Sequence, residues 1–313
     1  MFSRAYTWVI TGGAGFIGSH LAQELVRRGQ VVRVLDDLSS GRLENLGPAA
    51  QSVQFTQGDV CDFSTVKKAL RGADYVLHHA AFVSVPESVR RPLETFQVNV
   101  QGTFNVLEAA RQTGVKRVLF ACSSAIYGNG KDLPYKETSP VDCTSPYALS
   151  KQIGRMLCRQ YTQLYGLDTV SLIYFNVFGP RQNPSSPYAA VIARFMQQAA
   201  NGQALEIEWD GEQRRDFVHV QDVVQANLLA AVAAQPGESY NVARGESVSL
   251  LEMADLLDRL YGRKIPRVFR PKRPVDVKLS AADISKIGRL GFVPRVSLQE
   301  GLLEMKQLQS VPR

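Results

Sequence analysis

Tyr147 and Lys151 stand four residues apart in a stretch of helical spacing, which puts a phenol and an ammonium on one helix face. A phenol of pKa about 10 is a poor base at neutral pH, and a neighbouring cation favours its ionised form. Taken alone, the pair also describes an ordinary solvated helix surface. It gains chemical meaning from Ser123 and Ser124, which follow an apolar strand over 118–121. A hydroxyl at the carboxyl end of a strand in a parallel sheet can meet a substrate, although it can also simply cap the strand.

Gly12, Gly15 and Gly18 form G-x-x-G-x-x-G after a strand over 6–11 and at the opening of a helix over 16–28. Glycines let the backbone turn tightly and approach a pyrophosphate, while the helix N-terminus offers free N–H groups and a positive dipole end. A tight turn with no ligand is the plain alternative. Eighteen residues beyond Gly18 stands Asp36, after a second strand over 31–35 and placed to accept hydrogen bonds from ribose hydroxyls. A carboxylate there repels the 2′-phosphate of NADP, so the pattern predicts an NAD site. Asp59, in Gly58-Asp59-Val60 after a third strand over 53–57, falls near the adenine.

These groups need elements that bring them together. Further strands are predicted over 75–78, 118–121 and 169–174, and helices over 64–70, 99–112 and 147–165. Ser64 is the expected cap of the first of these helices, and Val100, Phe104, Leu107 and Ala110 share one face of the second. Strands alternating with helices of this length mean right-handed βαβ units and a parallel sheet covered on both faces. The fold class is therefore α/β, a doubly wound Rossmann sheet. After Asn176 the rhythm breaks, with helices near 189–201 and 250–261, a strand near 205–209, strand-then-helix over 217–235 and a short helix near the end. This predicts an NAD-binding domain of 1–176 plus 216–246. A smaller, discontinuous α/β substrate domain would take 177–215 plus 247–313.

With 313 residues, 45% of them hydrophobic and 21% charged, the chain can bury a full core, which excludes disorder and collagen-like order. Cys61, Cys122, Cys143 and Cys158 form no CxxC pair and read as reduced, cytoplasmic thiols. No run of about 18 apolar residues suggests a membrane span. The apolar start reads as the first strand, without a credible cleavage site for a secretion signal. The net charge of +7 is concentrated in 263–289, where nine Lys/Arg face only Asp276 and Asp283. No zinc-finger spacing or aromatic RNA-binding motif accompanies it, so an anionic small substrate or a solvated surface is expected, not nucleic acid.

At this level the chain resembles the extended short-chain dehydrogenase/reductase superfamily, and within it the nucleotide-sugar 4-epimerases, over nearly its whole length. TGGAGFIG, LDDLSSG, GDV, HHAA, NVQGTFNVLEAA, SSAIYG, YALSK, YFNVFGPRQ and RRDFVHVQDV carry the likeness. It implies a sheet of about seven strands and a homodimer packing helices 99–112 and 147–165 into a four-helix bundle. It implies Ser123, four residues before Tyr127, as the catalytic hydroxyl, with Tyr147 as base and Lys151 as helper. It implies NAD held by Gly12, Gly15, Phe16, Ile17, Gly18, Asp36, Asp59, Val60, Ala80, Ala81 and Asn99, together with Tyr147 and Lys151. Asn176, Arg215, Arg273 and Asp276 resemble anchors for a nucleotide diphosphate, which suits the paired hydrogen bonds of arginine. Val275 stands where the family's R-x-G-D carries glycine. Ser84, Ser123, Ser124, Tyr147 and Ser280 complete the implied substrate set, with no metal. His79, Cys122 and Cys143 read as packing residues.

Related 4,6-dehydratases carry an acid pair just after the catalytic hydroxyl, and decarboxylases a nearby Glu. Here those positions are Ser124, Ala125 and Ile126. The chemistry implied is hydride removal and return at C4 of a UDP-hexose through a transient 4-keto sugar, an isomerisation. Four residues after Asp276, Ser280 occupies the family's gate on the sugar pocket, where a bulky Tyr accompanies restriction to Glc/Gal. A small residue there, with Ser84-Val85-Pro86-Glu87-Ser88, resembles enzymes acting on UDP-GlcNAc, so UDP-GlcNAc/UDP-GalNAc is expected alongside UDP-Glc/UDP-Gal. Ser280 could instead cap a short helix over 281–287. A net NAD-dependent oxidoreductase on a nucleotide sugar is the nearest alternative. A non-catalytic NAD-binding scaffold would be expected to lose Ser123, Tyr147 or Lys151, and all three are present.

Overall fold

Short apolar runs flanked by glycine or polar turns become the strands of one sheet. The computed structural model describes residues 4–130, 132–183, 191–272 and 277–309. Arg273 and Asp276 lie outside the described residues. The first half runs β1 (Thr7–Thr11), α1 (Phe16–Arg27), β2 (Val31–Asp36), β3 (Val53–Gln57), α2 (Phe63–Leu70), β4 (Tyr75–His78), α3 (Val85–Arg90), α4 (Pro92–Phe96), α5 (Gly102–Thr113), β5 (Arg117–Ser123), α6 (Pro146–Tyr165) and β6 (Asp168–Tyr174). There follow β7 (Asn176–Phe178), α7 (Val191–Ala200), β8 (Leu205–Glu208), β9 (Arg214–His219), α8 (Val220–Ala233), β10 (Ser239–Val242), β11 (Ser247–Ser249), α9 (Leu250–Tyr261), β12 (Arg267–Arg270), α10 (Ser285–Gly288) and α11 (Leu298–Gln309).

Seven strands form one sheet in the order β10-β6-β5-β4-β1-β2-β3, and every pairing is parallel. The chain reverses direction across the sheet between β1 and β4, and ligands of doubly wound sheets bind outside the carboxyl ends of strands at that switch. One face buries Trp8, Ile10, Val32, Leu119 and Leu172 against α1 and α8. The other buries Val9, Val76, Val118 and Phe120 against α2, α5 and α6. A third apolar cluster joins α7, α9 and α11 through Phe195, Met253, Leu257 and Leu302. Beside it lie a three-stranded sheet, β11-β9-β7, and a two-stranded sheet, β12-β8.

Four local expectations are corrected. Asp62, not Ser64, caps α2, because its carboxylate accepts the Ser64 N–H. The helix expected over 99–112 starts regularly only at Gly102, after a π turn over Gln97–Gln101 that widens the coil around Asn99. Phe104, expected to share one face with Leu107 and Ala110, is 42% exposed, whereas those two are buried. The short helix near 281–287 is confined to Ser285–Gly288 with Ile284 at its N-cap, so Ser280 does not cap it.

Part of the basic tract lies against nearby acids. Arg267 pairs with Asp255 and Asp258, Lys264 with Asp258, Arg270 with Glu206 and Lys286 with Glu238. Among the described residues, no helix is long and apolar enough to cross a membrane.

Candidate active site

The glycine turn closes where β1 meets β4. Gly12 has φ +68, and a Cβ on it would lie 2.6 Å from the Ala80 nitrogen. A Cβ on Gly18 would lie 2.2 Å from the Gly12 carbonyl, so α1 can approach the turn only with glycine there. Gly15 is the N-cap of α1 and contributes no side-chain cap, leaving N–H groups around Phe16 and Ile17 for an anion. The residues therefore fit a dinucleotide pyrophosphate.

Asp36 ends β2 facing this turn. Its Oδ2 accepts the Ala14 N–H at 2.9 Å and its Oδ1 the Leu38 N–H at 2.9 Å. A carboxylate has about four lone-pair sites, so acceptor capacity remains for hydroxyls. Burial raises its pKa, against the two backbone donors. Asp59 is exposed and accepts the Cys61 N–H at 2.8 Å, while Val60 is buried against Gly102. The Ala80 N–H reaches Thr11 Oγ1 at 3.2 Å, and Ala81 is half-buried beside it.

Asn99, expected at the cofactor, devotes its side chain to the protein. Its Oδ1 accepts the Phe82 N–H at 2.7 Å, and its Nδ2 donates to the Phe82 carbonyl at 3.0 Å and to Ser150 Oγ at 2.9 Å. It thereby pins the loop after Ala80 and Ala81 to the helix that carries Tyr147.

Ser123, Tyr147 and Lys151 do converge. Ser123 ends β5, and its Oγ accepts the Ala125 N–H at 3.3 Å. The Ser123 hydroxyl faces the Tyr147 phenol and favours its ionised form. Lys151 is buried; its Nζ lies 6.0 Å from the Tyr147 ring centre and donates to the Ala121 carbonyl at 2.9 Å. Desolvation pushes the phenol up to about 12 despite the Ser123 hydrogen bond, and brings the ammonium down to about 8. Ser124 lies half-buried next to Ser123, and Ile126 is buried.

His78 and His79 sit below. His78 bridges Thr11 Oγ1 at 2.7 Å and Thr103 Oγ1 at 3.0 Å, and His79 Nε2 meets the Tyr174 hydroxyl at 3.0 Å. Burial lowers both rings to about 3, so they are neutral structural groups at pH 7. The Cys122 thiol, pushed up to about 11 by burial, is equally inert.

On the other side of the crevice, Asn176 Nδ2 donates to the Asp216 carbonyl at 3.0 Å, and an Arg215 nitrogen to the Arg214 carbonyl at 2.9 Å. Ser84 caps α3 by accepting the Glu87 N–H at 3.2 Å. Ser280 is buried, with its N–H on the Arg214 carbonyl at 3.1 Å. Its neighbours Val277, Lys278 and Leu279 line a cavity of about 330 Å³ with Asn129, Gly130 and Leu133.

Two residues here escaped sequence reasoning. Asp216 is fully buried and accepts the Arg244, Gly245 and Ala282 N–H groups; burial raises it to about 6. Trp209, at φ 61, carries Lys272 Nζ 4.1 Å and Lys278 Nζ 5.5 Å from its ring centre. The only available signal for it was an aromatic preceding Asp-Gly after a strand.

Residues 8–243 match the model of the NAD dependent epimerase/dehydratase family. The UDP-glucose 4-epimerase of Mycolicibacterium smegmatis is 38% identical over 299 residues, covering 94% of this chain and 95% of that protein. The UDP-N-acetyl-alpha-D-glucosaminuronate decarboxylase of Bacillus cytotoxicus is 33% identical over 313 residues, 96% of each. Among solved structures, the UDP-N-acetylglucosamine 4-epimerase of Methanobrevibacter ruminantium M1, in complex with UDP-N-acetylmuramic acid, gives a TM-score of 0.94 at 37% identity. The match covers 97% of this chain and 98% of that one. With its switch-point glycine turn and its Ser–Tyr–Lys cluster, this chain belongs to the NAD dependent epimerase/dehydratase family and is an NAD-using enzyme of the epimerase kind.

Proposed function

We propose that the enzyme interconverts C4 epimers of a UDP-hexose through a transient 4-keto sugar, taking UDP-GlcNAc/UDP-GalNAc and also UDP-Glc/UDP-Gal. The observation that carries this reading is the convergence of Ser123, at the carboxyl end of β5, with Tyr147 and with buried Lys151, whose Nζ lies 6.0 Å from the Tyr147 ring centre. Tyr147 takes the O4 proton and later returns it, while Ser123 holds the same oxygen. Bound NAD supplies the hydride acceptor and donor for C4, and a positive ring that favours the phenolate. Gly12, Gly15, Phe16, Ile17 and Gly18 hold its pyrophosphate, Asp36 a ribose, and Asp59 with Val60 the adenine side. Ala80 and Ala81 line the nicotinamide side, and Asn99 shapes their loop.

Ser124, Ala125 and Ile126 offer no group to protonate or deprotonate carbon, which favours epimerisation over the decarboxylation named for the Bacillus cytotoxicus relative. Asn176 and Arg215, with Arg273 and Asp276, anchor the nucleotide diphosphate. Ser84 and Ser124 meet the sugar. The division into 1–176 plus 216–246 and 177–215 plus 247–313 assigns cofactor and substrate to separate lobes.

The enzyme works as a homodimer. Phe104 on α5 and Leu149, Met156 and Leu164 on α6 are exposed, Met156 at 60%, and a second copy laying the same helices against them covers all four. Four free thiols suit the reducing cytoplasm.

Incubation with a panel of UDP-sugars, with and without added NAD, followed by NMR tests the reaction. An equilibrium mixture of C4 epimers without net NADH is expected. NADH formed in proportion to product would instead assign a net oxidoreductase.

Asp36→Ala is expected to weaken NAD binding by about tenfold or more, through loss of charge-assisted hydrogen bonds. It should also raise the relative affinity for NADP by removing charge repulsion. Because the substitution also frees the Ala14 and Leu38 N–H groups, the ratio of the two dissociation constants is the readout. An unchanged ratio in titration calorimetry places the ribose elsewhere.

A further inference from the structure

The first turn of α6 has one backbone donor without a local acceptor. Pro146 carries no N–H, the Ala148 N–H goes to the Ser145 cap at 3.1 Å, and the Leu149 N–H to the Ser145 carbonyl at 3.0 Å. The remaining donor belongs to Tyr147, and its acceptor comes from another element. Ser88 Oγ, fully buried on α3, accepts it at 3.1 Å. The Ser88 hydroxyl proton is committed to the Val85 carbonyl at 2.6 Å, which turns a lone pair toward Tyr147. On the other side, the Tyr147 carbonyl accepts Ser150 Oγ at 2.7 Å, and Ser150 Oγ in turn accepts Asn99 Nδ2.

We propose that Ser88 is a positioning residue for the base: it fixes the peptide of Tyr147 from the segment that begins at Ser84, so that the phenol stays in register with Ser123 and the sugar. The inference rests on the assignment of Tyr147 as base. Its physical content is geometric, since a displacement of about 1 Å in a reacting group can cost about 10²-fold in rate. The link also ties the base to the segment whose first residue, Ser84, is assigned to the sugar, so seating of the sugar and seating of the base become one event.

The test compares Ser88→Ala, Ser88→Thr, Tyr147→Phe and the double variant Ser88→Ala/Tyr147→Phe, all as NAD-loaded enzyme. In Ser88→Ala, kcat is expected to fall by about tenfold or more, on the scale of such misplacement, with KM nearly unchanged. The acid limb of kcat against pH should move upward, because a misplaced phenol loses the hydrogen bond that favours its ionised form. Ser88→Thr, which keeps the hydroxyl, recovers most of kcat. In the double variant the Ser88 change costs nothing beyond Tyr147→Phe. Wild-type kcat and an unmoved acid limb in Ser88→Ala overturn the proposal, as does a rate loss wholly accounted for by a smaller folded fraction in circular dichroism. If Tyr147→Phe remains active, the assignment of the base is what fails. If Tyr147→Phe is inactive and Ser88→Ala is unaltered, only the positioning role fails.

Discussion

Tyr147→Phe is expected to fold, to bind NAD as the parent does, and to lose at least about 10²-fold of turnover, the lower end of what general acid–base catalysis contributes. The substitution removes one oxygen from a half-buried ring and leaves the packing of α6 intact. Its structural cost is the hydrogen bond to Ser123, about 1 kcal/mol, or a few degrees of melting temperature. Among the described residues, the neighbouring titratable groups are poor substitutes. His79 is held neutral against Tyr174, Cys122 has its thiol pushed up by burial, and Lys151 spends its ammonium on Ala121. Steady-state rates together with a cofactor titration decide the matter. More than about a tenth of the parent rate, in protein shown to hold NAD, would mean that another group takes the O4 proton.

Ser280→Tyr should suppress interconversion of UDP-GlcNAc and UDP-GalNAc while sparing UDP-Glc and UDP-Gal, with a change of at least about tenfold in the ratio of their kcat/KM values, the size of ~1.4 kcal/mol of steric exclusion. The segment around Ser280 cannot retreat to make room. Arg214 donates its N–H to the Lys278 carbonyl and accepts the Ser280 N–H, and Tyr135 is held by the Ala281 carbonyl and the Asp283 N–H. A phenol added to this pinned stretch must find its volume in neighbouring open space, and overpacking of this kind costs about 1–3 kcal/mol when that space is contested. The cavity lined by its chain neighbours Val277, Lys278 and Leu279 offers such space. An acetamido group turning over in the sugar pocket needs room that a hydroxyl does not. Equal loss for both sugar pairs would remove Ser280 from the role of size gate.

The large sheet was readable because buried parallel strands appear as short apolar runs, and the helices between them keep a 3.6-residue rhythm closed by glycine. Thus Val53–Gln57 and Leu250–Tyr261 agree with expectation residue for residue. The glycine turn and Asp36 were readable because their task is local: a backbone that must curl and a carboxylate at a fixed distance along the chain. The π turn at Gln97–Gln101 was not, since one wider turn barely disturbs the spacing of apolar residues. Asp62 displaced Ser64 as cap because both residue types suit that position and only the entering backbone selects between them.

Sequence alone therefore determined the doubly wound architecture and the glycine turn, which depend on residue type and short-range spacing, and it brought Ser123, Tyr147 and Lys151 forward as a group through their resemblance to family motifs. Tertiary structure decided what each polar group does once it is buried. Ser280 reads as a size gate or, alternatively, a helix cap, and the fold removes the cap by starting α10 only at Ser285 with Ile284 as its N-cap. Asn99 is expected at the cofactor, and the fold adds a task that its sequence position does not show, since its amide bonds Phe82 and Ser150. The basic tract reads as a solvated surface or a site for an anionic substrate, and the fold sets Asp255, Asp258, Glu206 and Glu238 against part of it. Hydrogen bonds and ion pairs of this kind form between groups distant in the chain, and the need to satisfy a buried polar group leaves no periodic trace in the sequence around it.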